Sequence, residues 1–337
     1  MQREDIVGRF GSRLRAAFGV VPVFALALVG AMPSAQAQSF PDKPISLVVP
    51  YAAGGGTDAV ARVVGKAMGD ALGQQVIIEN RPGGSGMIGA NFASKAAPNG
   101  YTLVMITSSL VIQGLRPSGV QNATIESFQP IGVMATAPMA LNVHPSTPHS
   151  SVKEFIDYAR ANPGKLNYAT FGKGTTPHLV TEQMNSELGL KMVDVPYQGA
   201  APAMTDLARG ELQVFCDILA TSLPLAKDGR TRMLALMADK RSVNAPDVPT
   251  FAELGYPNVK ATVLMGISAP AGTPAPIVDK LAAALSTALR SPEVIDRIRA
   301  QSLEPGTSAD PAGFAAQMVQ ERDKWKALVE KLQLKLE

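Results

Sequence analysis

Residues 45–58 read ISLVVPYAAGGGTD, a short apolar run that leads into three consecutive glycines. The apolar run predicts a strand over 45–49, and apolar residues at helical spacing predict a helix over 57–72. Glycines let backbone N–H groups approach a ligand closely, and a helix N-terminus attracts an anion. A plain tight turn is the alternative, but a turn rarely needs three glycines. We therefore interpret this loop as an anion-binding site, with Thr57 or Asp58 capping the helix.

The alternation of strands and helices continues along the chain. Strands are predicted over 76–79 and 102–106, with a helix over 87–96 between them. This βαβαβ order indicates a parallel sheet with helices on both faces. Two long extended segments, 131–143 and 261–268, are typical of crossovers between two lobes.

The crossovers predict how the chain is divided. We expect an α/β protein in which residues 38–138 and 263–337 form a discontinuous lobe 1 and residues 139–262 form lobe 2. About 300 residues also exceed the usual size of a single core. The pattern describes a hinged clamp with a cleft between the lobes.

The N-terminal segment has the order of a secretory signal peptide. A basic start is followed by an apolar run over 16–32 and then by residues 35–37, which read AQA. A permanent membrane anchor is the alternative, but the run is short for a span of about 20 residues. We predict that residues 1–37 are removed by cleavage after Ala37 and that the mature protein is periplasmic.

Charge and cysteine content exclude several classes of protein. The chain has 31 Lys+Arg and 28 Asp+Glu, and the leader holds four and two of these, which leaves 27 and 26. A net charge near +1 gives no electrostatic reason to bind nucleic acid. Cys216 is the only cysteine in the sequence, so we expect no internal disulfide. Its apolar neighbours indicate a small buried hydrophobe.

Neither a cofactor nor a metal ion is expected. Residues 84–89 read GSGMIG and match a dinucleotide-binding pattern, but the turn before them is too long and no acidic residue follows at the required spacing. His144, His149 and His178 lack the spacing of a metal pair on one helix. His178 is interpreted as a packing or hydrogen-bonding residue rather than a catalytic base.

A second glycine-bearing loop has the same features as the first. Residues 168–178 read YATFGKGTTPH and also run from a predicted strand into a predicted helix, with Thr176 suited to the N-cap and Pro177 to the first helical position. Two helix N-termini that face each other across a cleft would suit a small molecule with one or two carboxylates. Asp217 follows a later strand, where it either binds a donor on the ligand or caps the next helix.

The order of short motifs along the chain resembles one family. In lobe 1 these motifs are PDKPI at 41–45, PYAAGGGTD at 50–58, ENRPGG at 79–84 and NGYTL at 99–103; GKGT at 172–175, HL at 178–179, VPYQG at 195–199 and APAGTP at 269–274 follow. They resemble the substrate-binding proteins of the tripartite tricarboxylate transporters, the Bordetella uptake gene (Bug) family. The resemblance covers nearly the whole mature chain.

The resemblance implies a type II-like periplasmic binding protein fold with two lobes, in each of which a sheet is flanked by helices. It also implies a monomer without catalytic residues, which closes on its ligand and delivers it to separate permease subunits. In such proteins backbone amides, hydroxyls and ordered water hold a carboxylate, with no arginine clamp. The ligand-binding residues carried over are Tyr51, Ala53, Gly54, Gly55, Thr57, Thr107, Ser108, Phe171, Gly172, Lys173, Gly174, Thr175, Thr176, His178 and Asp217.

One departure from the family pattern bears on the ligand. The second loop carries Phe171 and Lys173 where small polar residues are common in the family. Phe171 stacked on a planar ligand and Lys173 paired with a carboxylate would favour an aromatic dicarboxylate such as terephthalate over aliphatic di- or tricarboxylates or an acidic amino acid. The alternative is that Phe171 packs on its own lobe and Lys173 faces solvent.

Two other functions compete with transport. A ligand sensor would dock on a membrane receptor with the same closed clamp. An exported hydrolase would use His178 with Thr175 or Ser85, but the sequence around them lacks a nucleophile motif.

Overall fold

The computed structural model describes residues 40–116, 123–307 and 309–336. The predicted signal peptide and its cleavage site after Ala37 lie outside these ranges. The strands are β1 (Ile45–Val49), β2 (Val76–Asn80), β3 (Thr102–Thr107), β4 (Phe128–Val143), β5 (Asn167–Thr170), β6 (Val193–Pro196), β7 (Val214–Ile218), β8 (Arg232–Leu236), β9 (Thr262–Pro270) and β10 (Glu304–Pro305). The α-helices are α1 (Gly56–Leu72), α2 (Met87–Ser94), α3 (Ser108–Gln113), α4 (Val152–Ala161), α5 (Thr176–Leu188), α6 (Ala200–Arg209), α7 (Leu219–Lys227), α8 (Ala275–Arg290), α9 (Pro292–Ala300) and α10 (Pro311–Leu332).

The strands form a continuous mixed sheet in the order β2-β1-β3-β9-β4-β7-β5-β6, with β8 and β10 paired to β4. In lobe 1, β1 is parallel to β2 and β3; in lobe 2, β5 is parallel to β6 and β7. The prediction of parallel strands is therefore confirmed inside each lobe. Between the lobes β9 and β4 run antiparallel to each other and to their neighbours, so the whole sheet is mixed.

The two long extended segments predicted from the sequence are confirmed as strands β4 and β9. Strand β4 pairs with β9 from Phe128 to Pro138, and with β7 from Met139 to Val143. One strand thus belongs to the sheets of both lobes. Because β4 begins three residues before the predicted start at 131, its pairing with β9 is longer than the sequence pattern indicated.

Several elements are absent from the sequence prediction: α3, α6, α7 and β10. Helix α3 has only six residues, too few for a period of 3.6 to stand out. Helix α7 begins directly after β7 and contains Pro224, a residue that usually marks a helix end. Strand β10 has two residues. These elements are held by tertiary packing more than by local signals.

Apolar side chains of β1 and β3 fill the core of lobe 1. Helix α1 buries Val60, Val64 and Met68 against them, which accounts for its helical spacing of apolar residues. In lobe 2 Cys216 is fully buried in β7, and burial raises the pKa of its thiol to about 12. The interpretation of Cys216 as a buried hydrophobe is confirmed.

Gly266 on β9 provides a test of the packing between the shared strands and the C-terminal helix. A Cβ atom at this position would fall onto the ring of Phe314 from α10, which is 1% exposed. We expect Gly266→Ala to lower the free energy of unfolding by about 1–3 kcal/mol, since overpacking forces side chains from their rotamers. Urea unfolding of the purified protein measures this loss.

The matched control for this prediction is the same substitution in a Phe314→Leu background, where the ring is gone. In that background Gly266→Ala should lower the free energy of unfolding by clearly less, because the two substitutions act on the same contact and are therefore coupled. Equal costs in both backgrounds would contradict the proposed clash.

Candidate ligand-binding site

A narrow cavity lies where the carboxyl ends of β1, β3 and β7 meet the first turns of α1 and α5. Ligands of α/β proteins bind at such carboxyl ends of strands. The cavity has a volume of ≈ 30 Å³, so the cleft is closed in this structure. The lining residues are Tyr51, Ala52, Gly55, Gly56, Thr57, Thr107, Ser109, Met139, Phe171, Thr176, Pro177, Ala200, Asp217, Ile218 and Val263.

Helix α1 begins at the cavity without a side-chain cap of its own in the described structure. Its N-cap is Gly55, so the prediction that Thr57 or Asp58 caps it is wrong. The helix starts one residue earlier than predicted, which places both residues inside the first turn. The Asp58 carboxylate instead accepts a hydrogen bond from the Gly54 amide at 3.0 Å and fixes the glycine loop.

Asp58 is held in its ionised form by a small network. Burial alone would raise the pKa of Asp58, but hydrogen bonds from Arg62, Gly54 and Asn80 outweigh it and keep the pKa below its ordinary value. Asn80, the last residue of β2, donates to Asp58 at 3.0 Å and to the carbonyl of Tyr51 at 3.1 Å. The loop geometry therefore depends on a residue outside the loop.

At the start of α1 and at the start of α5, a backbone N–H group donates a hydrogen bond to a hydroxyl group of the opposite lobe. The Gly56 amide at the start of α1 donates to the Thr221 hydroxyl of α7 at 3.3 Å. The Thr176 amide at the start of α5 donates to the Ser109 hydroxyl of α3 at 2.9 Å. We call these two hydrogen bonds the reciprocal caps. They join the lobes at the cavity in this structure.

Helix α5 begins one residue before the predicted position. Its N-cap is Thr175, while Thr176 is the first helical residue, so the prediction of Thr176 as the cap is wrong. The Thr175 hydroxyl donates to the Gly172 carbonyl at 2.6 Å and closes the preceding turn. Within the described ranges, no side chain of its own loop caps α5.

Further contacts join each glycine-bearing loop to the opposite lobe. The Gln113 side chain donates to the Lys173 carbonyl at 2.7 Å, and the Ala52 amide donates to the Gln198 carbonyl at 3.3 Å. Gly172 lies so close to Ser85 that a Cβ atom would clash with its hydroxyl. A side chain at Gly172 would hinder closure.

Aromatic rings and hydroxyls form one wall of the cavity. Tyr51 donates or accepts a 2.7 Å hydrogen bond with Thr107, and burial raises the pKa of its phenol. The Phe171 ring lies 5.6 Å from the Tyr51 ring and 6.0 Å from the Phe215 ring of its own lobe. Phe171 thus packs on its lobe and also lines the cavity.

Seven of the predicted ligand-binding residues line the cavity: Tyr51, Gly55, Thr57, Thr107, Phe171, Thr176 and Asp217. The others lie beside it and are Ala53, Gly54, Ser108, Gly172, Lys173, Gly174, Thr175 and His178. Ser108 faces away, since its hydroxyl accepts from the Leu264 amide at 3.0 Å. Lys173 is exposed, and His178 is buried behind the loop, with its Nδ1 3.4 Å from the Gly174 amide.

Sequence reasoning gave no signal for the apolar part of the lining. Met139 and Val263 come from the crossover strands β4 and β9, and Ala200 and Ile218 from the ends of elements in lobe 2. None lies in a loop motif. The change of β4 from one partner strand to another brings Met139 and Val263 to the cavity.

Asp217 lies inside β7 rather than after it. Because β7 continues to Ile218, the alternative that Asp217 caps the next helix is wrong: α7 has Ile218 at its N-cap and, in the described structure, no side-chain cap. Burial raises the pKa of Asp217 to about 7, although the Ile218 amide and the Thr221 hydroxyl lower it in part. Its carboxyl group lines the cavity and is 3% exposed.

The comparisons with known proteins agree with this geometry. The model of the tripartite tricarboxylate transporter family receptor matches residues 60–334. BugT of Bordetella pertussis is 32% identical over 330 residues, which are 96% of this chain and 99% of that protein. The structure of MatC from Rhodopseudomonas palustris with bound malate has a TM-score of 0.81 at 30% identity and covers 86% of this chain and 100% of its own. A second R. palustris protein, solved with adipate, has a TM-score of 0.83 at 32% identity and covers 87% of this chain and 98% of its own.

Two lobes, a shared pair of strands and one cavity between helix N-termini define a solute-binding protein. The chain belongs to the tripartite tricarboxylate transporter receptor family, and the resemblance seen in its motifs is confirmed. Proteins of this family are periplasmic solute-binding proteins rather than enzymes. No helix in the described ranges is both long and apolar enough to cross a membrane. Nor do those ranges hold three His, Cys, Asp or Glu side chains placed for a metal ion.

The reciprocal caps predict that the empty protein is partly held closed by its own hydroxyls. We expect the double variant Ser109→Ala, Thr221→Val to have a larger radius of gyration than the wild type without ligand. In the closed state the Gly56 and Thr176 amides would lose their acceptors, at about 0.5–2 kcal/mol each, whereas water satisfies them when the cleft opens. Small-angle X-ray scattering measures the change.

Thr205→Val is the matched control, because its hydroxyl donates to Ala201 within α6 and does not cross the cleft. That variant should scatter like the wild type. An unchanged radius for the double variant would show that the reciprocal caps do not stabilise closure.

Proposed function

We propose that this protein captures a small organic dicarboxylate in the cavity and delivers it, as a monomer and without chemical change, to the permease subunits of a tripartite transporter. The observation that carries the proposal is the meeting of two helix N-termini at one closed cavity. Each N-terminus presents backbone N–H groups and the positive end of a helix dipole, which together stabilise an anion. Within the described ranges Asp217 is the only charged residue of the lining, so these amides and the hydroxyls would hold the carboxylates.

Closure of two lobes around the ligand is the mechanism of capture that we propose. The lobes would be residues 38–138 with 263–337, and residues 139–262. The partner change of β4 supports this division, since Pro138 pairs with β9 and Met139 with β7. A ligand that binds the closed form more tightly than the open form shifts the population toward closure.

Two ligand skeletons have support. The rings of Phe171 and Tyr51 at the cavity favour an aromatic dicarboxylate such as terephthalate, which could stack on them. The structures solved with malate and adipate favour aliphatic dicarboxylates. Lys173 is exposed and lies outside the lining, so the aromatic hypothesis rests on the rings alone.

The rival hydrolase has little geometric support. The Thr175 hydroxyl donates to the Gly172 carbonyl, and the Nδ1 atom of His178 faces the Gly174 amide. These contacts hold the loop and do not pair a nucleophile with a base. A sensor would use the same site, and co-purification from membranes with either a permease or a receptor separates the two roles.

A carboxylate panel tests the proposed function by thermal shift. A ligand at about 100 times its Kd stabilises the native state by about 2.7 kcal/mol, so Tm should rise by a few degrees. Terephthalate, adipate, succinate and citrate should be compared with matched amides, which lack the negative charge. A panel in which no carboxylate raises Tm would contradict the proposed function, and shifts from aliphatic acids alone would remove the aromatic hypothesis.

Export predicts a defined mature N-terminus. We propose that the chain is exported to the periplasm and cleaved after Ala37, so that the mature protein begins at Gln38. N-terminal sequencing of protein recovered from a periplasmic extract of a Gram-negative host should read Gln-Ser-Phe-Pro. Ala37→Leu should block cleavage at this bond and retain the precursor, while Gln38→Ser should still be processed. Full-length chain in the cytoplasm alone would contradict export.

A further inference from the structure

Asp217, which lines the cavity, has a carboxyl oxygen without a hydrogen-bond partner in the described structure. Asp217 is 3% exposed and lines the cavity, and within the described ranges its Oδ2 atom has no hydrogen-bond partner. A buried polar oxygen without a donor costs free energy, and the cost is larger for a charged group. A donor is therefore missing at one defined atom of the site.

Four hydroxyl groups of the cavity lining are already bonded in pairs. Tyr51 is paired with Thr107 at 2.7 Å within lobe 1, and Ser109 is paired with Thr176 at 3.0 Å across the contact between the lobes. Neither pair includes Asp217, and no other group of the described structure donates to its Oδ2 atom.

The surrounding charges do not balance Asp217 either. No Lys, Arg or His side chain is found in the cavity lining of the described structure. Burial accordingly raises the pKa of the Asp217 carboxyl to about 7. When Asp217 is ionised, a dicarboxylate that presents only acceptor oxygens would meet a like charge at this point.

We propose that Asp217 selects ligands that carry a hydrogen-bond donor, a hydroxyl or an amino group, next to their carboxylates. This inference rests on the proposed function, since it concerns the same cavity. The donor would form a charge-assisted hydrogen bond with Oδ2, and such bonds are stronger than neutral ones. A ligand without the donor displaces any water at Oδ2 and cannot replace its hydrogen bond, which weakens binding.

Two sets of three ligands test the donor independently of the carbon skeleton. The aliphatic set is succinate, malate and aspartate; the aromatic set is terephthalate, 2-hydroxyterephthalate and 2-aminoterephthalate. Within the set whose skeleton fits, the hydroxyl or amino member should bind about tenfold or more tightly than the unsubstituted acid. Isothermal titration calorimetry gives the Kd of each ligand. Comparison of the hydroxyl ligand with the amino ligand of a set shows which donor group the protein prefers.

Substitutions of Asp217 assign the preference to this residue. Asp217→Ala should remove the preference for a donor, so that the members of a set bind within about threefold of each other. Asp217→Asn keeps the shape of the side chain without its charge and should weaken the preference. Asp228→Asn, at the exposed end of α7, is the matched control and should keep the wild-type preference. Because the wild type buries an unpartnered oxygen, we expect both Asp217 variants to remain folded, with a Tm no lower than a few degrees below that of the wild type.

The outcomes separate this inference from the proposed function. Binding of succinate or terephthalate as tight as that of their substituted partners would overturn the role of Asp217 and leave dicarboxylate capture intact. A donor preference that survives in folded Asp217→Ala would also overturn it. If no member of either set binds, the proposed function fails and the inference fails with it.

Discussion

The antiparallel pairing of β4 with β9 is the constraint on which the molecule depends. Strand β4 pairs with β9 as far as Pro138 and then with β7 from Met139 onward, so one strand carries hydrogen bonds of both lobes. Pro138 has no N–H to donate, which makes the ladder weakest at the residue where the partner changes. The strands also bring Met139 and Val263 to the cavity. A bend at Pro138 would move the lobes and reshape the binding site in one step.

The site solves the problem of binding an anion without cations. The amides at the starts of α1 and α5 are fixed dipoles whose charge needs no counterion, and in this structure the reciprocal caps occupy the Gly56 and Thr176 amides. A carboxylate accepts hydrogen bonds from the same kind of group. On the proposed function, capture would be an exchange in which Ser109 and Thr221 give up or share amides with the ligand. Such an exchange would limit the gain from any single contact and make closure easy to reverse, as delivery to a permease requires.

The sequence predicted the architecture well because each lobe follows local rules. Runs of β-branched residues, glycine turns and helical spacing place β1, α1, β2 and β3 within one residue of their observed bounds. Local sequence rules do not predict the end of an element where contacts with distant residues determine it. The N-cap of α1 is a glycine because the cap comes from Thr221 of the other lobe, a residue 165 positions away in sequence. Likewise Asp217 looks like a cap candidate in sequence, but the pairing of β7 with β4 extends the strand past it.

The glycine-bearing loops and the buried acid play different parts in recognition. On the proposed function, the loops would supply amides that any carboxylate can use, and Phe171 would add a ring that is already held by a T-shaped contact with Phe215. Asp217 is different because its position is fixed by the strand and its open oxygen is defined to a single atom. A group that is held by the sheet and buried in the cleft cannot turn away from a poor ligand, unlike an exposed lysine on a loop. Selectivity in a neutral site of this kind would therefore come from the penalty of leaving one rigidly held acceptor unpaired, while affinity for the carboxylates would come from the backbone.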